Sequence, residues 1–344
     1  MITKQKIKKC VILMIIMIGL GLLCFFHAWL NPIIIKMFVN EFEVVSSEDN
    51  MLVHFIDVEQ ADAVAVNLPD GKILLIDSGC EEFNSTYSKY LKENVVHTQR
   101  TDYIDYLVLS HADMDHVGGT LKLLKNFDIG TVFMPKVGSS SAGYQEILTY
   151  VKTNCNYRIL GDEFTIGNDD YQIRFLKQLA DSNTNDASQV IKLECENKSF
   201  LFTGDISSSI EDEYISMYGS ELDADVLKVA HHGSKTATSQ AFLNEVTPEY
   251  AVISVGYNSY GHPTDEVLNN LKNCDAEVLR TDKLGNILFV VGEDYNLKHL
   301  DGIYYITNLT LDYRYLVLVI NIVLLFSGVI VVVKREKKST KQGK

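Results

Sequence analysis

The chain has 344 residues, of which 47% are hydrophobic, so it is long enough to bury a sizeable core. Its formal net charge is −14 although both ends are rich in lysine, so the middle is strongly acidic and would attract polyanions only at a local site. Its six cysteines form no Cys-x-x-Cys pair, which argues against a zinc ribbon and a dense disulfide framework.

A basic segment and a long apolar run begin the chain. Residues 1–9 contain four lysines and are expected to be cytoplasmic. Residues 10–30 are uncharged and long enough to cross a hydrocarbon core about 30 Å thick, so they predict a transmembrane anchor, followed by a linker at 31–50. The alternative is a cleaved signal peptide, but "FFHAWLNP" offers no convincing small-residue cleavage site.

Residues 51–300 show strand patterns with helices between them. "IDYLVLS" is a nearly continuous apolar run, typical of a strand that is buried on both faces. Other strands are predicted at "MLVHFIDV", "AVAVNL", "KILLID", "TVFMP", "YQIRFL", "QVIKLEC", "SFLFTG", "DVLKVA" and "YAVISVG". Helices are predicted near 120–127, 144–153, 207–218, 238–246 and 265–273. The pattern favours one layered α/β domain whose sheets are covered by helices.

A second apolar run lies near the end of the chain. After a linker at 301–314, residues 315–333 predict another transmembrane helix, with a buried core helix as the alternative. The tail at 334–344 is basic, so both apolar runs carry lysines on their outer flanks. Such flanks stay cytoplasmic, which places both termini inside the cell membrane and the middle domain outside it.

Polar residues follow five buried strands at the points where these strands end. Loops at strand ends form the sites of α/β proteins, because a rigid sheet holds them in mutual register. Five such junctions in one domain predict a shared site. The residues delivered in this way are Asp77, His111, Asp205, His231, His232 and His262.

The segment "HADMDH" places His111, Asp113, Asp115 and His116 within six positions. Imidazole and carboxylate groups are good ligands for zinc and similar divalent ions. Four such side chains could serve two ions, with Asp205 as a bridge and later histidines completing the shells. Two neighbouring ions can generate a nucleophile and clamp the oxygens of an anionic substrate. Zinc is the favoured metal, with manganese or iron as alternatives because oxygen ligands are numerous.

Each motif also has a simpler interpretation when taken alone. "HADMDH" could be a solvated turn, "HHGSKT" a surface turn with one core histidine, and "GHP" a turn before a helix. Asp205 could cap the helix near 207. Their joint occurrence at strand ends favours a metal site. Met114 is expected to face the core, and Ser234 and Lys235 to contact an anionic substrate.

A larger series of segments resembles the metallo-β-lactamase-fold domain of ComEC-type DNA-uptake proteins. The similarity covers most of residues 51–292 and includes "FIDVEQADAVAVNLPDGKILLIDSG", "LVLSHADMDHVGG", "FLFTGD", "DVLKVAHHGSKTATS" and "AVISVGYNSYGHPTDEVLNNL". It implies an αββα sandwich of two mixed sheets, with the site at one edge between them. In this chain the sandwich would be flanked by two single transmembrane helices.

The resemblance also implies roles for individual residues. Asp113 stands where most of the superfamily has a second histidine, Asp205 matches the bridging acid, and Asp77 matches a structural acid that orders loops. The pair His231 and His232 matches site residues that act as ligand or substrate contact. Catalysis is assigned to Asp115, Asp205 and His232, substrate binding to His232, Ser234 and Lys235, and metal binding to His111, Asp113, Asp115, His116, Asp205, His231 and His262.

The chain departs from the family pattern in three respects. "SNTNDASQ" stands where the superfamily has a middle histidine, so one ion would be held more weakly. Glu59 and Ala61 replace the two glycines of an opening that usually resembles "VGQGDA", which is expected to alter that loop's backbone and add a negative charge. The two predicted single spans are not expected to form the multi-helix channel of a full DNA importer.

Two functions remain open from the sequence. The first is an extracytoplasmic hydrolase that uses metal-bound hydroxide to cleave a phosphodiester or related anionic ester, in nucleic acid, an envelope polymer or a small molecule. The second is a catalytically degenerate, membrane-tethered partner of a DNA-uptake or cell-envelope complex. The nearly complete ligand set favours the first function, whereas Glu59, Ala61 and the missing histidine favour the second.

Overall fold

The structure of the chain, a computed structural model, describes residues 50–96 and 102–292 together with the backbone of 297–301. The predicted transmembrane segments, at 10–30 and 315–333, lie outside these residues, as do both basic ends. Within the described ranges, no helix combines the length and the hydropathy that a membrane span requires.

Fifteen strands occur in the described residues. They are β1 (Met51–Phe55), β2 (Val64–Asn67), β3 (Ile73–Ile76), β4 (Tyr103–Val108), β5 (Asp128–Met134), β6 (Tyr157–Ile159), β7 (Phe164–Gly167), β8 (Tyr171–Phe175), β9 (Ile191–Cys195), β10 (Lys198–Phe202), β11 (Val226–Lys228), β12 (Tyr250–Ile253), β13 (Glu277–Arg280), β14 (Ile287–Val291) and β15 (Leu297–Asp301).

Helices connect many of these strands. They are α1 (Asn84–Tyr90), α2 (Met114–Val117), α3 (Thr120–Asn126), α4 (Ala142–Asn154), α5 (Ser208–Tyr218), α6 (Gln240–Val246), α7 (Asp265–Asn273) and α8 (Thr281–Leu284). A π-helical turn, Leu91–Val95, continues α1. Short 3-10 turns lie at Gly219–Leu222 and Ala230–Gly233.

The strands form two mixed sheets. The first has eight strands in the order β15-β14-β1-β2-β3-β4-β5-β6, and the second has seven in the order β13-β12-β11-β10-β9-β8-β7. In the first sheet β3 to β6 run parallel to one another. In the second sheet β10 to β13 do so. Each sheet therefore collects the carboxyl ends of several parallel strands along one edge.

Alternating side chains bury both faces of each sheet. Phe200 and Phe202 of β10 point between the sheets, where Phe202 meets Phe55 of β1 at a ring-centroid distance of 6.0 Å. Leu201, between them in sequence, packs on the outer face against helices. Burying an aromatic or leucine side chain contributes about 1.5–3 kcal/mol relative to leaving it exposed. The alternation thus holds two sheets together and gives each a helical cover.

The two outer cores complete the layers. α1, α3 and α4 cover the first sheet, with Tyr87, Leu123 and Ile147 buried against it. α5, α6 and α7 cover the second sheet in the same way, with Tyr214 and Phe242 among the buried side chains. The predicted α/β sandwich of two mixed sheets is confirmed. The flanking transmembrane helices of that prediction belong to the part of the chain that is not described.

Candidate metal site

The predicted site residues lie on loops that follow parallel strands of both sheets. Asp77 directly follows β3, and His111 is the third residue after the end of β4. Asp205 follows β10, and the turn with His231 and His232 follows β11. Because the carboxyl ends of parallel strands meet at one edge of a sheet, these side chains converge between the two sheets.

Asp205 lies at the centre of this convergence. Its Oδ1 is 3.3 Å from Nε2 of His116. Its Oδ2 is 4.0 Å from Nε2 of His111, 3.8 Å from Nε2 of His231 and 3.9 Å from Nε2 of His232. One carboxylate therefore faces four imidazoles, so Asp205 is a candidate ligand shared by both sheets' loops.

Several ligand atoms of the cluster are buried without a hydrogen-bond partner. Among the described residues, these include Nε2 of His111, His116 and His232 and Oδ1 of Asp205. Buried polar atoms normally have partners, and atoms of ligand type that lack them and face one another suit a shared cation. Two of the three groups in the described residues whose ligand atoms lie within 4.8 Å of one another are His111 with His116 and Asp205, and Asp115 with His116 and His232. The donor set therefore fits divalent metal ions.

Hydrogen bonds on the far side of the rings fix the orientation of two histidines. Asp77 accepts hydrogen bonds from the backbone N–H and the hydroxyl of Ser110, both at 2.7 Å, and lies 2.7 Å from Nδ1 of His116. Nδ1 of His232 lies 2.8 Å from the carbonyl oxygen of Ser254. These contacts direct Nε2 of each ring towards Asp205, as outer partners of metal-binding histidines do.

The electrostatics of the cluster favour positive charge at its centre. Burial, reinforced by the neighbouring His116, lowers the pKa of His111 to about 4, so His111 is neutral at pH 7. Burial opposes ionisation of Asp205, but the nearby His116 and His232 hold the pKa of Asp205 well below its usual range. Conversely, Asp205 and Asp77 raise the pKa of His116 above its usual value despite burial.

The cluster opens into a cleft of about 580 Å³. Its walls include Asp113, Asp115, His231, His262 and Tyr260. The ring of His262 lies 5.7 Å from that of His231, centroid to centroid, and its Nδ1 is another buried atom without a hydrogen-bond partner in the described ranges. A substrate in this cleft would reach the cluster from one side.

Backbone strain accompanies the site. His231 and His232 have φ values of 50° and 52°, and Asp77 has φ 60°, all in the left-handed region that side chains with a Cβ avoid. Such conformations persist where the surrounding structure enforces them and are found often at functional sites. Here they turn consecutive histidines out of the strand direction and into the cluster.

The structure does not bring every predicted residue into the cluster. Asp113 lines the cleft but belongs to none of the close ligand groups. The hydroxyl of Ser234 is 3.0 Å from that of Thr236, Lys235 is exposed, and neither residue is among those lining the cleft. Their roles stay predictions. The expectation that Met114 faces the core is wrong, because its side chain is 37% exposed at the cleft wall.

Two residues that the sequence did not assign to the site, Asp62 and Lys228, lie buried beneath the cluster. Nζ of Lys228 is 2.8 Å from Oδ2 of Asp62. A signal was present, because Lys228 interrupts the apolar run "VLKVA" at a position where a buried charge needs a partner. Its partner could not be identified from the sequence, since the two residues are brought together only by the packing of the two sheets.

Glu59 and Ala61, which replace the two glycines of the opening loop, have different surroundings. Glu59 adopts φ 60°, so the loop keeps a left-handed conformation that favours glycine, whereas Ala61 is simply buried. Gly256, on the loop leading to His262, lies against this segment so closely that a Cβ on Gly256 would be 2.5 Å from Cα of Glu59. Oε2 of Glu59 accepts a hydrogen bond from the backbone N–H of Tyr257.

Comparison with known proteins gives a family and several relatives. The family model of the Metallo-beta-lactamase superfamily matches residues 56–257. ComE operon protein 3 of Bacillus subtilis is 30% identical over 253 residues, which are 69% of this chain and 32% of that protein. Competence protein ComA of Neisseria gonorrhoeae is 34% identical over 190 residues, 55% of this chain and 26% of that protein. The chain spans about a third or less of the length of these curated relatives.

Among solved structures, the metallo-beta-lactamase fold protein YhfI from Bacillus subtilis aligns with a TM-score of 0.47 at 15% sequence identity. The alignment covers 70% of this chain and 99% of that protein.

Proposed function

We propose, since this chain belongs to the metallo-beta-lactamase superfamily, that it is a metal-dependent hydrolase that cleaves a phosphodiester or a related anionic ester. Its resemblance to the ComEC-type branch is confirmed by the competence proteins among its relatives. The observation that carries the proposal is the cluster around Asp205, in which buried Nε2 atoms of three histidines face one carboxylate without hydrogen-bond partners in the described residues.

The ligand set divides around Asp205. His111 and His116 would hold a divalent ion together with Asp205, and Asp115 and His232, whose ligand atoms also lie near His116, would hold a second ion. Zinc is our first choice, with manganese or iron as alternatives, because the set mixes imidazole nitrogen with carboxylate oxygen. Bound ions of this kind supply a nucleophile at neutral pH and stabilise the negative charge that develops on the substrate.

The neighbouring histidines would have different roles. His232 is buried, and its Nε2 lies 3.3 Å from Oδ2 of Asp115, which suits a metal ligand. The side chain of His231 is 28% exposed and lines the cleft, which suits contact with a substrate oxygen. We therefore reverse the roles expected from the sequence for this pair. His262, whose ring lies 5.7 Å from that of His231 and which also lines the cleft, would support either the substrate or a metal ion.

The membrane and the substrate complete the proposal. The two apolar runs would anchor the chain in the cell membrane, with both termini cytoplasmic and the domain outside. A nucleic acid, an envelope polymer or a small phosphodiester would then reach the cleft from the extracytoplasmic side. The competence relatives favour nucleic acid, and the acidic composition of the domain favours a smaller or envelope-derived substrate.

A second candidate function is a non-catalytic partner in an uptake or envelope complex. It is favoured by the strained Glu59 in the opening loop and by the absence of a histidine from "SNTNDASQ". Asn185, which belongs to this segment, lines the cleft, and an amide is a poor zinc ligand. A partner protein of this kind would retain the fold without turnover.

An assay of the full chain in detergent separates the two functions. Bis-p-nitrophenyl phosphate is offered with zinc or manganese to the wild type, to Asp205→Asn and to Asp225→Asn. Asp225 is the matched control, because it precedes β11 at the opposite end of the sheet from the cluster. We expect turnover that Asp205→Asn abolishes and Asp225→Asn leaves unchanged. Absence of turnover in the folded wild type with either metal would contradict the hydrolase and favour the partner function.

A further inference from the structure

Two buried opposite charges lie beneath the cluster of ligand side chains around Asp205. The side chains of Asp62 and Lys228 are 4% and 3% exposed, and Nζ of Lys228 is 2.8 Å from Oδ2 of Asp62. Lys228 also donates a hydrogen bond to the carbonyl oxygen of Val229 at 2.9 Å. Charged groups are seldom buried this fully, because removing a charge from water is unfavourable even when it is paired.

Asp62 faces two of the proposed ligands from behind. Its Oδ1 is 3.6 Å from Nδ1 of His232, and its Oδ2 is 3.8 Å from Nδ1 of His116. Oδ1 has no hydrogen-bond partner among the described residues. The two rings present Nε2 to Asp205 on their other side. The rings of His116 and His232 therefore each lie between the carboxylate of Asp62 and the proposed metal positions near Asp205.

The same residue joins the backbones of three loops. The N–H of Asp62 donates to the carbonyl oxygen of Asp115 at 3.2 Å, and its own carbonyl oxygen accepts from the N–H of Gly79 at 2.8 Å. Through Lys228 it is connected to β11, which leads into the turn of His231 and His232. A shift of Asp62 would therefore move ligand loops from both sheets.

Lys228 provides positive charge to an inner layer of carboxylates. Asp62, Asp77 and His116 bring ligand atoms within 4.8 Å of one another, an arrangement that by itself could take a cation. The ammonium group of Lys228 lies at hydrogen-bonding distance from Asp62 in this layer. The ammonium group therefore provides the positive charge that Asp62 and Asp77 need, and these two carboxylates can lie beneath the histidines without a metal ion of their own.

We propose that Asp62 and Lys228 are positioning residues, whose ion pair holds His116 and His232 in the geometry that binds metal. This inference rests on the metal site of the proposed function. Replacing outer partners of metal ligands weakens metal binding by roughly 10–100-fold in other proteins. A pair that only stabilised the fold would leave the affinity of the folded protein for metal unchanged.

The test measures Co(II) binding to the full chain in detergent, by titration and by the visible absorption of the bound ion. Removing one charge alone leaves the other buried and unpaired, so Lys228→Met could fail to fold. The main variant is therefore the double substitution Asp62→Asn with Lys228→Met, which removes both charges together. The control is the double substitution Lys198→Met with Asp225→Asn. These two side chains are 2.9 Å apart and lie where β10 and β11 begin, at the end of the sheet away from the cluster.

We expect the Asp62/Lys228 double variant to bind Co(II) roughly 10–100-fold more weakly, with an altered absorption spectrum. The Lys198/Asp225 double variant should match the wild type in both measurements. Wild-type affinity and spectrum in the folded Asp62/Lys228 variant would overturn this inference and leave the proposed function intact. Failure of the wild type itself to bind Co(II) would overturn both.

Discussion

The histidines and aspartates of the cluster control one another's charge. Asp205 is ionised because His116 and His232 hold its pKa far below the usual range, even though burial acts in the opposite direction. The same carboxylate raises the pKa of His232 despite burial. Without metal, protons on these two imidazoles neutralise the carboxylates. Metal ions would take over that task, so proton release and metal binding should be linked.

This linkage predicts the pH dependence of metal affinity. His116 and His232 have raised pKa values, so in the metal-free chain both are protonated below about pH 6.5 and hold their protons into the neutral range. Each proton displaced by the metal makes binding roughly tenfold tighter per pH unit. We expect zinc affinity to rise from pH 6 to pH 8, with proton release detected by calorimetry in buffers of different ionisation enthalpy. A pH-independent affinity would contradict this linkage.

The sequence indicates which residues of "HADMDH" meet in the cluster, but not how the other cluster residues are arranged. The segment "HADMDH", which directly follows the apolar run "LVLS", is sufficient to select His111, Asp115 and His116 as candidate site residues. Their spacing and their place at the end of a strand can both be recognised from the local sequence. The sequence does not determine which of His231 and His232 faces Asp115 and which faces the cleft, because this depends on their consecutive left-handed φ values. Asp62 was missed because its partner lies 166 positions away, on the other sheet.

At the scale of elements, the site depends on loops held in contact across the two sheets. The loop after β12 reaches the opening loop, where the N–H of Gly256 donates to Oε1 of Gln60 at 3.3 Å. Asn258 then closes the loop on itself by bonding to both the N–H and the carbonyl oxygen of His262. His262 is thus placed by contacts that begin at Gly256.

The close approach at Gly256 gives a prediction. In Gly256→Ala the new Cβ would lie 2.5–2.6 Å from backbone atoms of Glu59 and Gln60, so one loop must move. Overpacking of this kind costs about 1–3 kcal/mol of unfolding free energy. We also expect weaker metal binding, because both loops border the cleft. Thermal unfolding and zinc titration measure the two effects.

The control for this substitution is Gly71→Ala. Gly71 has φ 78°, and a Cβ added there would have no other atom within 4 Å, so alanine adds strain of about 1–2 kcal/mol without a clash. Gly71→Ala should leave zinc affinity unchanged. Unchanged zinc affinity in Gly256→Ala as well would show that the two loops do not position the site.

Element prediction succeeded where the apolar pattern was strong. The strands "AVAVNL", "YQIRFL" and "SFLFTG" and the helix near 265–273 correspond to β2, β8, β10 and α7. Strand β6 was not predicted, because its residues Tyr157–Ile159 are all exposed and an edge strand without a buried face has no hydrophobic period. Strand β14 was also not predicted, although its sequence "ILFVV" is apolar and therefore carried a local signal.

At the scale of the whole molecule, the location of the domain remains a prediction from the basic flanks of 10–30 and 315–333. A protease added to intact cells should remove the region around residues 51–300 and leave both tagged termini protected. Immunoblots for tags at each end, with a cytoplasmic protein as the control for lysis, measure this. Protection of the domain together with the termini would contradict the extracytoplasmic location.

The metal content of the purified full chain tests the central claim most directly. The chain is reconstituted with zinc, dialysed and analysed by elemental mass spectrometry beside Asp205→Asn, in which an isosteric amide replaces the carboxylate that faces four imidazoles. We predict two zinc ions per wild-type chain and at most one in the folded variant. A folded wild type without bound metal, or equal metal content in the two proteins, would contradict the metal site proposed around Asp205.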